Sequence, residues 1–412
     1  MNMFRLSWAN LKVDSLSTAL SIMLLAIGVG MVAFVLVISQ QLNDRFNRDI
    51  RGIDMVVGAK GSPLQLILSA VYQIDNPTGN IPLSEAERLQ KHPLVKYSIP
   101  LAYGDSYRGY RIVGTEEKYL KHYDATFGDG SIWTTDFEAV VGSTVAQQLE
   151  LSLGSHFHGT HGLEQEGQAH EEMDYRVVGT LKPTGTVIDK LILTNISSVW
   201  HIHGEANPTE EEHAHHDHKH DTAHHHELEE DTREITALLV KFKSPMGMMQ
   251  LPRHINANTT MQAALPAIEV NRLYELLGVG FTTLQIIGGI IMCIAAISVF
   301  ISLLNSLKNR KYELALMRSL GASPSKLFAM VVLESLLICS MGYTAGIALG
   351  RLGQVMMQHF GEQQLQMGAS LLTFSYQELM LLPITLFIGL IAALIPAVQA
   401  YRTDISNVLR NE

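Results

Sequence analysis

Four long stretches without charged side chains constrain the fold of this chain more than any other feature of its sequence. The first runs from Ser15 to Asn43, and the third is interrupted only by Glu334. About 20 apolar residues suffice to cross a bilayer as a helix, whereas a cleaved signal peptide has a shorter apolar core and a small-residue cleavage site. The stretches therefore predict four transmembrane helices, at residues 15–40, 277–305, 327–350 and 378–401.

The charges of the short loops predict how these helices are oriented. Residues 305–326 contain five basic side chains and one acidic side chain, whereas residues 352–377 contain no Lys or Arg. Cytoplasmic loops carry an excess of Lys and Arg, so we expect the first of these loops and both termini to be cytoplasmic. The predicted segments outside the membrane are an amphipathic helix at 1–14, an extracytoplasmic domain at 41–276, a cytoplasmic loop at 306–326, a short outer loop at 351–377 and a cytoplasmic tail at 402–412.

The 41–276 segment has the pattern of a mixed α+β domain. Short runs rich in β-branched and aromatic residues, bounded by Gly, Pro or Asp, predict strands. The predicted fold class is a membrane α-helical protein with four transmembrane helices in a 1+3 arrangement and a large α+β extracytoplasmic domain between helices 1 and 2. Residues 262–280 keep apolar positions at helical spacing, which predicts one continuous helix from the domain into the second span. The predicted strands lie at 97–104, 107–114, 175–181, 190–196 and 235–242.

Composition and motifs argue against several classes of protein. Two cysteines exclude a disulfide scaffold and a cysteine-based zinc site, and both of them, Cys293 and Cys339, lie inside predicted spans. The net charge of −10 argues against nucleic-acid binding. The segment Gly58–Ser62 has a lysine and glycines, but not the order and spacing of a Walker A phosphate-binding loop. We therefore expect no enzymatic activity from this chain itself.

The 306–326 loop has the pattern of a short amphipathic helix that ends in a tight corner. Leu314, Met317 and Leu320 recur at helical spacing beside a basic face. Gly321 suits the left-handed position after a helix, and Ser323 with Pro324 suits the start of the next helix. A basic anchor in the lipid headgroups is one interpretation. A lever that a cytoplasmic partner pushes fits the rigid corner better.

The third span carries a face of small residues and one carboxylate. Gly342, Gly346 and Gly350 repeat every four residues, a spacing that lets membrane helices approach closely, either within one chain or between two copies. Glu334 in the same span costs about 2.5–3.5 kcal/mol at the bilayer centre. We expect it to face the helix bundle or the cytoplasmic interface.

Histidine is concentrated in one acidic segment of the outer domain. Residues 205–231 contain eight histidines and ten acidic side chains, a composition that predicts a disordered loop. Imidazoles suit zinc, copper and nickel, so the loop either captures or senses divalent metal or is a solvated insertion with incidental affinity. The histidines of this loop are His213, His215, His216, His218, His220, His224, His225 and His226.

A second group of histidines lies outside that loop. His156 and His158 project to the same side of an extended strand, and His161 follows closely; His201 and His203 have the same spacing. Convergence of four such imidazoles would make a defined zinc site. Surface histidines with local hydrogen bonds are the alternative, which we favour.

Several segments resemble the FtsX/MacB permease family of ABC transporters, of the type with separate ATPase subunits. The cytoplasmic stretch RKYELALMRSLGASPSKLFAMVVLESLL is similar to that family's signature, as are the C-terminal ALIPAVQAYRTDISNVLRNE and the opening FRLSWANLKVDSLSTAL. The stretch at residues 53–81, which begins IDMVVGAKGSP, resembles a motif of one subgroup. The family's outer domains do not generally carry such a histidine run.

The resemblance implies a dimeric permease on whose cytoplasmic loop two ATPase subunits dock. ATP-driven closure would then move the outer domains without a substrate tunnel through the membrane, a process called mechanotransmission. By this resemblance the loop is the ATPase-coupling element. Its implied coupling residues are Arg310, Glu313, Met317, Arg318, Gly321 and Ser323.

The combined prediction is a permease subunit that transmits ATP-driven change from a separate ATPase to a periplasmic domain, to export or extract an envelope substrate. A link to zinc or another divalent metal is included. Two alternatives stay open: a non-transporting regulator of an envelope hydrolase, and a His-rich metal-sensing membrane receptor.

The expected location of the protein is the bacterial cytoplasmic (inner) membrane. Expected partners are a cytoplasmic ATPase dimer carrying ATP and Mg, a second permease copy in a homodimer or heterodimer, the lipid bilayer, and a periplasmic or lipoprotein partner. No cofactor is expected to bind directly, with zinc in the His-rich loop as the one candidate.

Overall fold

The computed structural model describes residues 3–161, 169–204, 233–360 and 376–402. The chain divides into two compact units. The membrane unit comprises residues 1–43 and 275–412, and the outer unit comprises residues 44–274. The predicted disordered loop at 205–231, residues 361–375 of the predicted outer loop and nearly all of the predicted tail lie outside the described residues.

The helices of the described residues agree with the predicted 1+3 arrangement. Four helices are long and apolar enough to cross a membrane: α2 (Ser15–Asp49), α9 (Pro266–Asn309), α11 (Pro324–Phe360) and α12 (Tyr376–Tyr401). The outer unit lies between α2 and α9 in the chain. The predicted fold class is therefore confirmed. In chain order the helices are α1 (Met3–Val13), α2 (Ser15–Asp49), α3 (Pro63–Ala70), α4 (Leu83–Gln90), α5 (Glu117–His122), α6 (Ser143–Gln148), α7 (Ile196–Gly204), α8 (Pro245–Asn258), α9 (Pro266–Asn309), α10 (Lys311–Ser319), α11 (Pro324–Phe360) and α12 (Tyr376–Tyr401).

The strands of the outer unit include all five that the sequence predicts. A single 3-10 turn, Val187–Lys190, lies among them within the described residues. The strands are β1 (Met55–Ala59), β2 (Ile81–Pro82), β3 (Val95–Tyr107), β4 (Tyr110–Thr115), β5 (Phe127–Gly130), β6 (Glu138–Val141), β7 (His156–His161), β8 (Ala169–Leu181), β9 (Ile192–Asn195), β10 (Glu234–Ile235), β11 (Ala237–Phe242) and β12 (Met261–Ala264).

Strand pairing in the outer unit closes a ring. β3 pairs with β4, β4 with β9, β9 with β6, β6 with β8, β8 with β7, and β7 with β3 again. The β4–β9 and β6–β8 pairs are parallel and the others in the ring are antiparallel. β11, β1 and β12 extend the sheet beyond β3. Closure of the ring leaves few unpaired strand edges, which protects a sheet against pairing with other chains.

Two segments differ from the sequence-based expectation. The predicted helix at 262–280 is a strand at its start, because Met261–Ala264 pairs with β1 and buries three of its four residues there. The helix begins instead at Pro266, a residue that suits a first helical position, and then continues into the second span as predicted. α11 extends beyond residue 350 to Phe360, and within this extension Arg351 donates to Glu378 of α12 at 2.6 Å.

Candidate coupling site

Helix α10 is a short amphipathic helix between two membrane-spanning helices. Leu314 is buried against the rest of the membrane unit. The chain then turns at Gly321, whose φ of +93° lies in the left-handed region that favours glycine. The amide of Ala322 donates to the carbonyl of Met317 at 3.0 Å, which caps the end of the helix. α11 begins at Pro324, so the predicted helix, glycine corner and proline start are all confirmed.

An apolar stripe covers the opposite, exposed side of α10. Tyr312, Leu316 and Leu320 follow one another at intervals of four residues and therefore share a helix face. Their exposed fractions are 50%, 46% and 81%. Three large apolar side chains exposed on a loop of basic character mark a surface suited to a protein partner.

A groove of about 260 Å³ lies beside this stripe. It is mainly apolar, with one basic side chain at its rim, and its walls come from α1, the end of α10 and the start of α11. The groove is large enough to accept an aliphatic or aromatic side chain of a partner. Its lining residues are Met3, Leu6, Met317, Leu320, Gly321, Ala322, Lys326, Leu327 and Met330.

A buried polar cluster joins the same three helices. Arg310, which directly precedes α10, donates to Glu313 of α10 at 3.1 Å and to Glu334 of α11 at 3.5 Å. It also donates to the side-chain oxygen of Asn10 in α1, and the amide group of Asn10 donates in turn to Glu334. We call Asn10, Arg310 and Glu334 the Arg310 cluster. All three are buried, with exposed fractions of 5%, 7% and 3%.

The Arg310 cluster explains how the membrane unit accommodates Glu334. As predicted, this carboxylate faces the helix bundle, and it has a cationic partner there. Removing one member of a buried ion pair typically costs about 3–5 kcal/mol, because the other charge is left uncompensated. The cluster therefore fixes the positions of the three helices that contribute to it.

The glycine face of α11 packs against α2 within this chain. A Cβ added at Gly346 would lie 2.8 Å from the Cβ of Val29 and 2.9 Å from the carbonyl oxygen of Ala26. These distances are shorter than real Cβ contacts, so only glycine permits this approach of the two backbones. The other two positions follow the same pattern, with Gly342 against Leu25 and Gly350 against Gly30.

In the outer unit, an aromatic cluster joins the ends of the two connecting helices. Phe46, near the end of α2, packs edge-on against Tyr72 and against Tyr274 of α9, with ring centroids 4.8 and 5.8 Å apart. The hydroxyl of Tyr72 donates to the carbonyl oxygen of Phe46 at 3.1 Å. The ends of α2 and α9 are thus connected to each other and to the core of the outer unit.

Two sequence families match the chain. The family described as MacB-like periplasmic core domain matches residues 18–245, and the one described as FtsX-like permease C-terminal matches residues 285–405. The first match alone covers more than half of the chain. This chain belongs to the FtsX/MacB-like permease family. The permease is thus of the ABC-transporter type, and its outer unit is a MacB-like periplasmic domain.

Two of the solved structures that match the permease do so at low sequence identity. The periplasmic region of MacB from Actinobacillus actinomycetemcomitans is 13% identical and has a TM-score of 0.33; the match covers 55% of the permease and 96% of that region. The extracellular domain of the noncanonic ABC-type transporter YknZ from Gram-positive bacteria is 14% identical, with a TM-score of 0.31, and covers 51% of the permease and 98% of that domain. The comparison with curated proteins found no match.

The coupling residues implied by the resemblance differ in their exposure. Glu313 is exposed, and Met317 and Gly321 line the groove. Arg318 and Ser323 are half-buried. Arg310 is buried, so its contacts lie within the permease. The sequence analysis did not predict the exposed stripe on α10, although the four-residue spacing of Tyr312, Leu316 and Leu320 could have indicated it. It also did not predict the contribution of Asn10, which no local pattern indicates.

Two of the histidines outside loop 205–231, His156 and His201, have acidic partners in the outer unit. His156 pairs with Asp174 across the β7–β8 ribbon, and His201 lies 3.3 Å from Asp136. Within the described ranges, no group of three or more His, Cys, Asp or Glu side chains is placed to hold a metal ion. His158 and His161 lie in β7 and His203 lies in α7, whereas the eight histidines of the predicted loop lie outside the described residues.

Residues 53–81 form a compact structural element of the outer unit. Lys60 donates to the carbonyl oxygens of Asn256 and Thr259 at 3.3 and 2.9 Å, at the end of α8. The side chain of Ser62 caps α3, and the hydroxyl of Thr78 donates to the carbonyl oxygen of Ala59. The lysine of the Walker-like segment thus stabilises a helix C-terminus, where a positive charge is favourable.

Asp49, the last residue of α2, holds the end of this helix in the outer unit. Its carboxylate accepts the amide of Val187 at 2.9 Å, and its carbonyl oxygen accepts the hydroxyl of Tyr123 at 3.2 Å. Burial raises the pKa of Asp49 from 3.8 to about 6, although the Val187 amide and nearby Arg45 and Arg48 favour the charged form.

We expect Asp49→Asn to stabilise the permease at neutral pH. The folded state binds the Asp49 proton more tightly than the unfolded chain does, so stability falls as the pH rises through the window between 3.8 and about 6. The asparagine keeps an acceptor for the Val187 amide without the charge, so the free energy of unfolding should rise by at most about 3 kcal/mol.

Melting curves of the permease in detergent at pH 4.5 and 7.5 test this expectation. The variant should melt at a higher temperature than the wild type at pH 7.5, and the difference should shrink at pH 4.5. Asp129→Asn, at an exposed aspartate, is the control; an unchanged pH slope in Asp49→Asn would contradict the prediction.

Proposed function

We propose that the permease transmits ATP-driven movement from a separate cytoplasmic ATPase to its outer unit, and thereby exports or extracts an envelope substrate. The observation that carries this proposal is the apolar stripe on α10, which is exposed beside an apolar groove while the other face of the helix is buried in the membrane unit. A stripe and groove of this kind suit a protein partner with a protruding apolar side chain.

The path of the movement is supported by helix continuity. α2 has 35 residues and α9 has 44, and each runs unbroken across the boundary between the membrane unit and the outer unit. At 1.5 Å per residue α9 is about 66 Å long. Because the Phe46–Tyr274 contact joins the ends of these two helices in the outer unit, a shift of either helix would be passed to the other and to the core they contact.

The proposed orientation places α10 and both termini in the cytoplasm. It rests on the basic residues around α10, of which Lys308, Lys311 and Lys326 are exposed. The outer unit would then be periplasmic in a two-membrane cell. The proposed assembly contains two permease copies, either identical or related, and two ATPase subunits that bind ATP and Mg.

Affinity purification of the full-length permease from its native membrane, in mild detergent and with quantitative mass spectrometry, tests the proposal. A near-stoichiometric ABC ATPase in the purified complex would support it. Absence of any ATPase, under conditions in which the permease stays folded and its own oligomer persists, would contradict it and favour the metal-sensing receptor.

We further propose that the His-rich segment 205–231 binds divalent metal, with zinc as the first candidate. The proposal rests on its eight histidines and ten acidic side chains. Deleting residues 205–231 should remove most of the zinc that the purified permease takes up in equilibrium dialysis, measured by elemental mass spectrometry. A His156→Ala/His158→Ala variant is the control and should keep that zinc. Equal zinc content in the deletion variant and the wild type would rule out a metal role for the segment.

A further inference from the structure

The Arg310 cluster lies where a force on α10 would first meet the membrane-spanning helices. Arg310 is the residue between α9 and α10, and its guanidinium contacts side chains from α1, α10 and α11. Asn10 closes the cluster, because its side chain both accepts from Arg310 and donates to Glu334. One cation therefore connects α1 with two helices that follow about 300 residues later in the chain.

The cluster is also adjacent to the groove. The side-chain amide of Asn10 lies 3.9 Å from the sulfur of Met330, and Met330 and Leu6 both line the groove. Leu6 stands one helical turn before Asn10 on α1. A partner side chain that fills the groove would contact residues directly beside the buried ion pair.

The buried charges resist separation. If α10 moved away from α11, Glu334 would become an uncompensated buried charge and Arg310 would keep only its pair with Glu313, which is strongly unfavourable. A related argument applies to α1, since its departure would remove one hydrogen bond each from Arg310 and Glu334 and both of these bonds from the buried amide of Asn10. Displacement of α10 is therefore easier when α1 and the start of α11 move with it.

We propose that Arg310 is a positioning residue for coupling: together with Asn10 and Glu334 it makes α1, α10 and the start of α11 one rigid body. When a partner displaces α10, α11 then moves with it, because the chain does not bend at the corners on either side of α10. This inference rests on the proposed function, since the push is that of the ATPase. It assigns the buried charges a role in transmitting the movement of α10, whereas the exposed stripe and the groove bind the partner.

The test replaces the ion pair by an apolar pair of similar size, Arg310→Met/Glu334→Leu, in the full-length permease. Such replacements often leave a protein folded. The matched control is Arg351→Met/Glu378→Leu, which removes a second ion pair of the membrane unit, with Glu378 buried and Arg351 half-buried. That pair joins α11 to α12 and does not involve α1 or α10. Asn10→Ala is a milder variant that keeps the ion pair and removes only the connection to α1.

The first measurement is hydrogen exchange of the permease alone in lipid nanodiscs. Amides of α1 and α10 should exchange about tenfold faster in the Arg310/Glu334 variant than in the wild type, because local opening no longer separates buried charges. Asn10→Ala should affect α1 only, and the control variant should leave both helices unchanged. Unchanged exchange in the Arg310/Glu334 variant would overturn the proposal without any reference to an ATPase.

The second measurement titrates each permease variant into its ATPase and records both apparent affinity and stimulated ATP hydrolysis. The Arg310/Glu334 variant should bind with unchanged affinity but lose about tenfold in maximal stimulation, the size of a typical coupling between sites. A merely structural role would lower the amount of folded protein without separating these two quantities. If the wild type binds no ATPase, the proposed function fails; if it does and the variant is stimulated equally, only this inference fails.

Discussion

Replacing Leu320 by Asp is expected to abolish stable binding of the ATPase to the permease. Leu320 ends the exposed stripe of α10 and also lines the groove, so its side chain would lie at the centre of the proposed interface. Truncating a hot-spot residue at the centre of an interface costs about 2 kcal/mol or more, about 30-fold in affinity. A carboxylate placed in an apolar pocket adds a desolvation penalty to that loss. Binding of labelled permease to the ATPase, measured in detergent, quantifies the change.

The outer unit supplies a matched control for this experiment. Met249 on α8 has the same exposed fraction as Leu320, 81%, so Met249→Asp introduces the same charge at an equally exposed apolar position. Its affinity for the ATPase should equal that of the wild type. Equal affinities for Leu320→Asp and the wild type would show that the stripe on α10 is not the ATPase-binding surface.

Replacing Gly346 by Leu is expected to disrupt the membrane unit itself. Any side chain at this position meets the backbone of α2 at the carbonyl of Ala26, which cannot move without displacing the whole helix. Overpacking costs about 1–3 kcal/mol when neighbouring side chains can adjust, and more is expected here because backbone must shift. The melting temperature and the fraction of monodisperse protein after solubilisation measure the loss.

Gly289 on α9 provides the comparison for Gly346. It also lies in a membrane-spanning helix, but a Cβ added there meets nothing within 4 Å in the described structure. Gly289→Leu should therefore keep the wild-type melting temperature within experimental error. If both leucine variants were equally stable, the close approach of α2 and α11 would not be a determinant of stability.

Local patterns predicted those features of the permease that depend on a few neighbouring residues. The charge-free runs are long enough to identify α2, α9, α11 and α12, since crossing a bilayer is a requirement on length and polarity alone. Gly321 and Pro324 predicted the corner after α10 because each residue restricts or frees its own backbone. The strand at Met261–Ala264 was missed for the opposite reason, since its conformation depends on pairing with β1.

At the coupling site, too, local patterns predicted the helix but not the long-range contacts of its residues. The amphipathic pattern of residues 311–320 identified α10, but the resemblance placed Arg310 among coupling residues without indicating that it is buried. Arg310 and Asn10 are 300 residues apart, and Asn10 and Glu334 are 324 apart. No periodicity within a window of sequence relates such positions.

The sequence by itself determined the number of spans, the position of the outer domain between the first and second of them, and the helix–corner–helix pattern around α10. These follow from hydrophobic length and from backbone preferences, which act over one or two helical turns. Only the tertiary structure decided that Gly346 packs against α2 of the same chain, that Phe46 meets Tyr274, and that Arg310 pairs with Glu334. These contacts bring together side chains from distant helices, and burial selects them because close packing and charge compensation depend on the whole folded unit.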